Sequence, residues 1–275
     1  MELYEKVSYQ VSELVTEQYS TSFSMSSRLF DDSIRADIYA VYGLVRIADE
    51  IVDTYRNDDA KELLTRLEVD TYAAIARGYD TNPIVHSFAL TAKRYGIDEV
   101  LIRPFFESMA MDLETVDSYT VERYETYIYG SAEVVGLMCL RVFCGGDEAQ
   151  YRSLVPGARA LGSAYQKVNF LRDVAADHDE LGRLYFPGVT YGHFDEAQKA
   201  RIVEDIGQDF AQARSYVSKL PSNSRRAVSL SMLYYGELLQ KIKATSAETL
   251  KQEWVRIGGA RKLWLLTKVT LGVVK

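Results

Sequence analysis

Tyr42, Arg46, Asp49 and Asp53 stand at offsets 0, 4, 7 and 11. At about 100° per residue, these positions span an arc of roughly 60° on one helix. One face then carries a ring, a cation and two carboxylates in axial order, with Arg35 on the same line. A second stripe, Gln166, Asn169, Asp173 and Asp177, has offsets 0, 3, 7 and 11, with Arg172 beside it. Carboxylates at i and i+4 repel by a few tenths of a kcal/mol when exposed. Such pairs mark either a solvated charged face or a face that holds a cation. Two stripes of matching design, each set in an apolar helix, favour the cation. Oxygen ligands without His or Cys suit Mg²⁺, with Mn²⁺ as an alternative, rather than zinc. Mg²⁺ keeps waters and takes few carboxylates plus substrate phosphates, while interleaved Arg side chains grip phosphate oxygens. The residues alone therefore point to a Mg²⁺-dependent enzyme acting on a diphosphate.

Such stripes need helices to carry them. From Arg35 to Tyr55 apolar residues recur at three and four with no proline between, and Asp31, Asp32 or Ser33 offers a cap. Further helices are predicted over residues 3–19, 60–77, 83–95, 98–113, 120–143, 155–178, 195–218, 222–244 and 247–257. Breaks fall at Asn82-Pro83, Gly96, Val116-Asp117-Ser118, Gly145-Gly146, Leu181-Gly182, Gly188 and Leu220-Pro221. No series of alternating strands, internal repeat or low-complexity tract interrupts this pattern. The expectation is a single all-α domain over residues 1–275, built from roughly ten helices.

Composition narrows the function class. With 47% apolar and 26% charged residues among 275, the chain has the profile of a globular protein with a buried core. Lys plus Arg is 32 against 39 for Asp plus Glu, and the net charge of −7 argues against nucleic acid as a partner. Cys139 and Cys144, five apart in an apolar run, exclude a disulfide framework and read as reduced thiols. His86, His178 and His193 show no zinc spacing. The N-terminus has no signal-peptide pattern and no run of 18 apolar residues occurs, so the expected compartment is the cytoplasm.

Three blocks carry a resemblance. The first comprises Tyr19-Ser20-Thr21-Ser22-Phe23, Arg28-Leu29, and Tyr39-Ala40-Val41-Tyr42 through Arg46-Ile47-Ala48-Asp49-Glu50-Ile51-Val52-Asp53. The second is Tyr127 through Met138, and the third runs from Gln166 to Asp177, with Arg183-Leu184-Tyr185-Phe186-Pro187 behind it. In order and spacing the set resembles the squalene/phytoene synthase family. The resemblance implies an all-α isoprenoid synthase fold around a central cavity and head-to-head condensation of two prenyl diphosphates. It implies that Asp49 and Asp53 bind Mg²⁺ on one side, with Asn169, Asp173 and Asp177 opposite. Arg46 and Arg172 then support diphosphates and carboxylates. Ser20, Ser22 and Phe23 form a flap over the substrate, Gln166 joins the substrate contacts, and Tyr42 and Tyr129 lie near the reacting carbons.

This chain departs from the family's pattern in three places. Glu50 stands where many relatives have Asp and is expected to point off the stripe. Ala176 replaces a frequent Glu. Glu133 replaces a small residue on a face shared by Tyr129, Ala132, Gly136 and Leu140. It is either a buried charge that needs a partner or, as the favoured reading has it, a tunnel-mouth or packing-edge residue.

The first motif, D-E-I-V-D, and Val174 after Arg172-Asp173 tilt the resemblance towards the non-reducing carotenoid branch, most like bacterial phytoene synthase, with no NADPH. The substrate expected is geranylgeranyl diphosphate, because Ser26 or Ser27 leaves room along the prenyl tunnel; Tyr39 or Leu140 is the alternative tunnel end. Dehydrosqualene or squalene synthesis from farnesyl diphosphate is the first alternative, and a catalytically inactive scaffold protein the remoter one. A downstream carotenoid desaturase is a candidate partner. Residues 251–275 hold six cations against the single acid Glu253, with Leu263, Trp264, Leu266, Leu271 and Val274 among them. This end either associates peripherally with the inner face of a membrane or packs on the domain so that Arg256 or Arg261 reaches the diphosphates.

Overall fold

A computed structural model describes residues 2–114, 119–175, 185–189 and 191–271. Among these residues the chain is helical and has no strand. The element order is α1 (Leu3–Tyr19), α2 (Thr21–Ser27), α3 (Asp32–Asp49), a π-turn (Glu50–Tyr55), α4 (Ala60–Arg77), α5 (Pro83–Tyr95) and α6 (Glu99–Met111). There follow α7 (Val121–Ile128), a second π-turn (Tyr129–Glu133), α8 (Val134–Cys144) and α9 (Glu148–Arg172). A 3₁₀ turn (Tyr191–His193) leads into α10 (Glu196–Val217), α11 (Ser222–Ala244), α12 (Ala247–Leu250) and α13 (Gly259–Thr270).

Local chemistry sets the helix ends. Asp31, Asn82, Asp98, Asp147 and Asp195 each accept a backbone N–H of the first turn, and Pro83 sits where its missing N–H costs nothing. Gly78, Gly96 and Gly145 close α4, α5 and α8 in the left-handed region. Three expected boundaries move, one of them the end of the helix predicted over 155–178, which stops at Arg172 so that Asp173 lies just past it. The helix predicted over 155–178 begins at Glu148, because Asp147 caps it and the ladder tolerates Pro156 inside. The helix predicted over 247–257 stops at Leu250, and the chain leaves it as an extended segment before α13.

Two large cores hold the helices together. One gathers apolar side chains of α3 to α8, with Ile38, Phe88 and Ile102 fully buried. The other joins α7, α9, α10, α11 and the segment after α12, around Leu171, Ile206 and Leu238. Polar ties run between them. Asp37 on α3, 2% exposed, accepts from Tyr9 at 3.2 Å, Thr91 at 2.9 Å, Arg94 at 3.1 Å and Tyr95 at 3.0 Å. It thereby fastens α1 and α5 to the helix that bears the first stripe. Lys167 on α9 reaches Asp205 at 2.5 Å and Asp209 at 2.8 Å on α10. A buried charge costs several kcal/mol when unpaired, so both ties restrict how these helices slide.

One continuous helical stretch among the described residues, Val121–Cys144, is long and apolar enough to cross a membrane, and 56% of its apolar window is buried inside the protein. Its apolarity serves the core.

Candidate active site

The first stripe sits where α3 gives way to the π-turn. Asp49 is the last residue of α3 and Asp53 lies within the turn. Burial first, and then the neighbouring carboxylate of Asp53, push the Asp49 carboxyl up to about 8; Arg46 opposes this, and Asp112 and Glu50 add to it. The side chain keeps 30% of its surface accessible, so that surface faces a recess walled by protein rather than open water. Several carboxylates crowd one recess with a single nearby guanidinium, an arrangement short of positive charge.

That guanidinium is tightly held. Arg46 donates to Glu50 at 2.7 Å, lies 3.9 Å from Asp49 and stacks over the Tyr19 ring at 4.4 Å. Glu50, expected off the stripe, is thus the closest ionic partner of Arg46. The helix is still α-wound between them, so i and i+4 meet before the π-turn begins. Arg35 plays no part here, since it turns back to Asp32 at 2.6 Å and the Phe30 carbonyl at 2.8 Å.

The flap segment is helical. Ser20 caps α2 by accepting from the Phe23 amide at 3.1 Å, and it also hydrogen-bonds Tyr42. Phe23 stacks on Tyr42 with ring centroids 4.8 Å apart. Burial raises the Tyr42 hydroxyl to about 12, which keeps it a neutral donor. Ser20, Phe23, Tyr42, Arg46 and Asp49 therefore form one cluster.

The second stripe ends α9. Arg172 donates to both oxygens of Asp173, at 2.7 and 2.5 Å, and Trp254 donates its indole N–H to the same carboxylate. Asn169 hydrogen-bonds Tyr235 while its Oδ1 is buried with no partner. Asp177 lies outside the described residues.

Sequence reasoning missed two groups. Tyr235 on α11 is close enough to Tyr42 on one side, and to Arg172 and Asp173 on the other, for its hydroxyl to feel all three. Its ring stacks on Tyr165 at 4.0 Å. Asp112, 4% exposed just past α6, accepts from Tyr127 at 2.8 Å and Tyr185 at 3.4 Å and adds its charge to the field at Asp49. A lone tyrosine among 20, and one acid ending an apolar helix, carry no spacing that would have marked them.

An apolar cavity of about 260 Å³ is walled by α2, α8, α9, α10 and α11. Phe23, Ser26, Leu140, Tyr165 and Gln166 line it, and Cys139 contributes its thiol side. A second cavity of about 140 Å³ shares Phe23, Ser26, Tyr165 and Ser231 with the first and adds Ser20, Ser22, Tyr235 and Lys262. Ser26 thus borders both. Ser27 borders neither; it is fully buried and donates to the Ser24 carbonyl at 3.0 Å and the Tyr39 hydroxyl at 3.4 Å. Tyr39 is likewise absent from both walls, whereas Leu140 belongs to the first.

Glycines let the wall helices close up. A Cβ at Gly157 would lie 2.4 Å from the Cβ of Tyr216, and one at Gly162 would lie 2.7 Å from the Ala132 carbonyl oxygen. A Cβ at Gly130, in the second π-turn, would lie 2.2 Å from the Pro104 carbonyl oxygen. Tyr129 and Glu133 bracket that π-turn and do not line the cavity. Glu133 accepts from Arg159 at 2.5 Å, and Arg159 stacks over Tyr129 at 5.2 Å. Glu133 is therefore a paired packing-edge residue. At the C-terminal end, Arg256 stacks over Trp254 at 4.3 Å, and Arg261 pairs with Glu237 at 2.6 Å.

The sequence profile of the Squalene/phytoene synthase family matches residues 16–261, and the chain belongs to that family. Its members are prenyltransferase-type enzymes, generally dependent on a divalent metal and using prenyl diphosphates. The chain is 26% identical over 271 residues to a 15-cis-phytoene synthase from Paracoccus sp., covering 90% of this chain and 86% of that one. It is 31% identical over 252 residues to phytoene synthase 1 of Arabidopsis thaliana, covering 84% of this chain and 58% of the plant protein. A ligand-bound dehydrosqualene synthase structure superimposes with a TM-score of 0.84 at 20% identity, over 98% and 97% of the two chains. A squalene synthase from Alicyclobacillus acidocaldarius gives 0.77 at 21%, over 89% and 96%. The fold is that of the isoprenoid synthases.

The donor set was tested against a divalent cation. Among the described residues no three His, Cys, Asp or Glu side chains converge on one ion position. Asp49 and Asp53 lie close enough for their carboxylates to repel, and Asn169 stands one helical turn before Asp173. Two such oxygen pairs fit Mg²⁺, which completes its shell with water and substrate phosphate. The orphaned Oδ1 of Asn169 and the crowded carboxylates at Asp49 fit it as well.

Proposed function

We propose that this chain condenses two molecules of geranylgeranyl diphosphate head to head, through a cyclopropyl diphosphate intermediate, to give phytoene without NADPH. The observation that carries this reading is the adjacency of a carboxylate–arginine cluster to an apolar cavity and to a second, more polar one that shares Phe23, Ser26, Tyr165 and Ser231 with it. Asp49 and Asp53, with Asn169, Asp173 and Asp177 opposite, are the proposed holders of Mg²⁺. When bound, Mg²⁺ neutralises the charge that builds on a departing diphosphate.

The chain's own residues supply the rest. Arg46, braced by Glu50, and Arg172, braced by Asp173, are proposed to face diphosphate oxygens. Phe23 stacked on Tyr42 closes the mouth of the cavity, and the wall from Ala132 to Phe143 keeps water from a carbocation. Tyr42 is proposed to present an electron-rich face towards the reacting carbons, while Tyr129, under Arg159 and outside both cavity walls, is given no contact with them. Tyr235 joins the proposed substrate contacts together with Ser20, Ser22, Gln166 and Asn169. The proposed setting is the cytoplasm, with a carotenoid desaturase consuming the product.

The test is incubation of purified protein with Mg²⁺ and farnesyl or geranylgeranyl diphosphate, alone and in competition, with and without NADPH. Phytoene from geranylgeranyl diphosphate, indifferent to NADPH, is the expected product by mass. A higher kcat/KM for farnesyl diphosphate moves the reading to dehydrosqualene, and NADPH-dependent squalene moves it to the reducing branch. No turnover of either substrate by folded protein leaves the scaffold reading.

A further inference from the structure

Two stacked ring pairs stand where the two cavities meet. Phe23 on α2 and Tyr165 on α9 border both cavities. Phe23 lies on Tyr42, and Tyr165 lies on Tyr235 with centroids 4.0 Å and planes 17° apart. The Tyr42 hydroxyl feels that of Tyr235, so the two pairs adjoin. Tyr165 precedes Asn169 by four residues on α9, about 6 Å along the helix axis. A prenyl chain whose diphosphate sits beside Asn169 and Arg172 has its first carbons within that distance.

Two features separate Tyr165 from an ordinary packing residue. Its hydroxyl is buried with no hydrogen-bond partner among the described residues, and Ser231 lies beside it without the geometry of a hydrogen bond. Burying an unpartnered hydroxyl is unfavourable, and phenylalanine would fill the same place without that cost. The second feature concerns cations. The protein's own guanidinium groups take other tyrosine rings: Arg46 stacks over Tyr19, Arg141 over Tyr151 and Arg159 over Tyr129. Among the described residues no cation stacks over Tyr165, whose ring meets only other rings, Tyr235 and, at 6.2 Å, Phe210.

We propose that Tyr165, backed by Tyr235, is a cation-recognising face where the cavities join, and so a further catalytic residue. This deepens the proposed function and rests on it. Breaking the carbon–oxygen bond sends the electron pair away with the diphosphate, and the positive charge left on the prenyl carbons meets the Tyr165 ring. A ring attracts a cation through its negative face, most strongly where water is excluded. Tyr235 fixes the angle of that ring and, through its hydrogen bond to Asn169, ties it to the proposed metal face.

The test uses two probes, a prenyl trialkylammonium and its uncharged isostere with carbon in place of nitrogen, each titrated into the full-length protein by calorimetry. Wild type should prefer the ammonium. Tyr165→Leu should lower that preference by about tenfold, and Tyr165→Phe by about twofold at most. Pentafluorophenylalanine placed at position 165 keeps the shape of the ring, strips its face of negative charge, and should match Tyr165→Leu; it decides the matter if the leucine variant does not fold. Leu161→Ala, one turn earlier on α9 and in the wall of the first cavity alone, should weaken both probes equally. An ammonium preference unchanged in the fluorinated variant, or equal loss of both probes in it, overturns the proposal. Turnover is scored separately. An active wild type whose preference ignores Tyr165 fails this proposal alone, whereas an inactive wild type that selects the ammonium through Tyr165 fails the functional reading and keeps the cation-recognising face.

Discussion

The indole N–H of Trp254 is hydrogen-bonded to the carboxylate of Asp173, 81 residues earlier in the chain. Arg172 holds both oxygens of the same group. A proposed metal ligand thus already accepts three hydrogen bonds from protein donors, two of them on Oδ1, and a cation approaching that oxygen competes with one of them. Trp254 is the easier to displace, being 52% exposed and outside any helix.

Metal binding should therefore be visible at Trp254. Mg²⁺ titration with diphosphate present is expected to change tryptophan emission in the wild type but not in Trp254→Phe, which retains Trp264 as its sole indole. A hydrogen bond to a charged group is worth about 1.5–3 kcal/mol, so Trp254→Phe should bind Mn²⁺ about tenfold more tightly. Weaker binding by the variant, measured by electron paramagnetic resonance, would mean that Trp254 orients Asp173 instead of competing for it.

Asp49→Asn and Asp173→Asn are expected to abolish turnover while leaving the fold intact. A neutral amide keeps the shape but not the charge that a divalent cation requires. Above about pH 8, where the Asp49 carboxyl ionises, the exchange also relieves the repulsion from Asp53 and the cost of burying a charge, so the metal-free variant should melt no lower than wild type there. A folded variant with near-wild-type activity would show that the carboxylates do not hold the metal.

Ser26 and Ser27 should behave oppositely. Ser26→Phe fills space that both cavities share and is expected to shift the kcat/KM ratio from geranylgeranyl towards farnesyl diphosphate. Ser27→Phe forces a ring into a closed site beside Tyr39, and overpacking there costs about 1–3 kcal/mol of stability. Competition assays and melting curves separate the two outcomes. An unchanged substrate ratio in Ser26→Phe would remove the spatial argument for the longer substrate.

Cys139 lines the cavity, yet burial raises its thiol to about 12. Near pH 8 only about one thiol in ten thousand is then thiolate. Alkylation should be slow there and should keep rising through pH 10 without the plateau of a free thiol. Its contribution to stability is fully present below the ordinary thiol value of 9.0 and is lost as pH climbs towards 12. Fast, complete labelling at pH 8 under native conditions, followed by mass, would contradict this.

The all-α class was legible because the 3.6-residue period is unbroken over long stretches, and counting laid Tyr42, Arg46 and Asp49 on α3 and Gln166 and Asn169 on α9. The same counting failed wherever the winding changed or contacts were non-local. It placed Glu50 off the stripe, although its partner Arg46 is one α-turn away. It ran a helix through Trp254, where the chain is extended and free to reach Asp173. Tyr235 and Asp112 are brought to the stripes by tertiary packing alone. The choice between Ser26 and Ser27 turns on a rotation of one residue about a seven-residue helix, finer than any periodicity in so short a segment.

The glycine contacts bear on how a substrate range could drift over generations. At two positions of α9 the cavity wall is backbone against backbone or ring: Gly157 lies under Tyr216 and Gly162 against Ala132. Almost any replacement there disturbs helix packing before it reshapes the interior. The wall formed by Ser26 and Leu140 is made of side chains, so it changes volume by single nucleotide steps without moving a helix. Random libraries screened for new product lengths should accumulate their accepted changes at side-chain positions such as Ser26 and Leu140 and return Gly157 and Gly162 unaltered. One rigid wall and one adaptable wall would let the enclosure be resized while its opening stays in place.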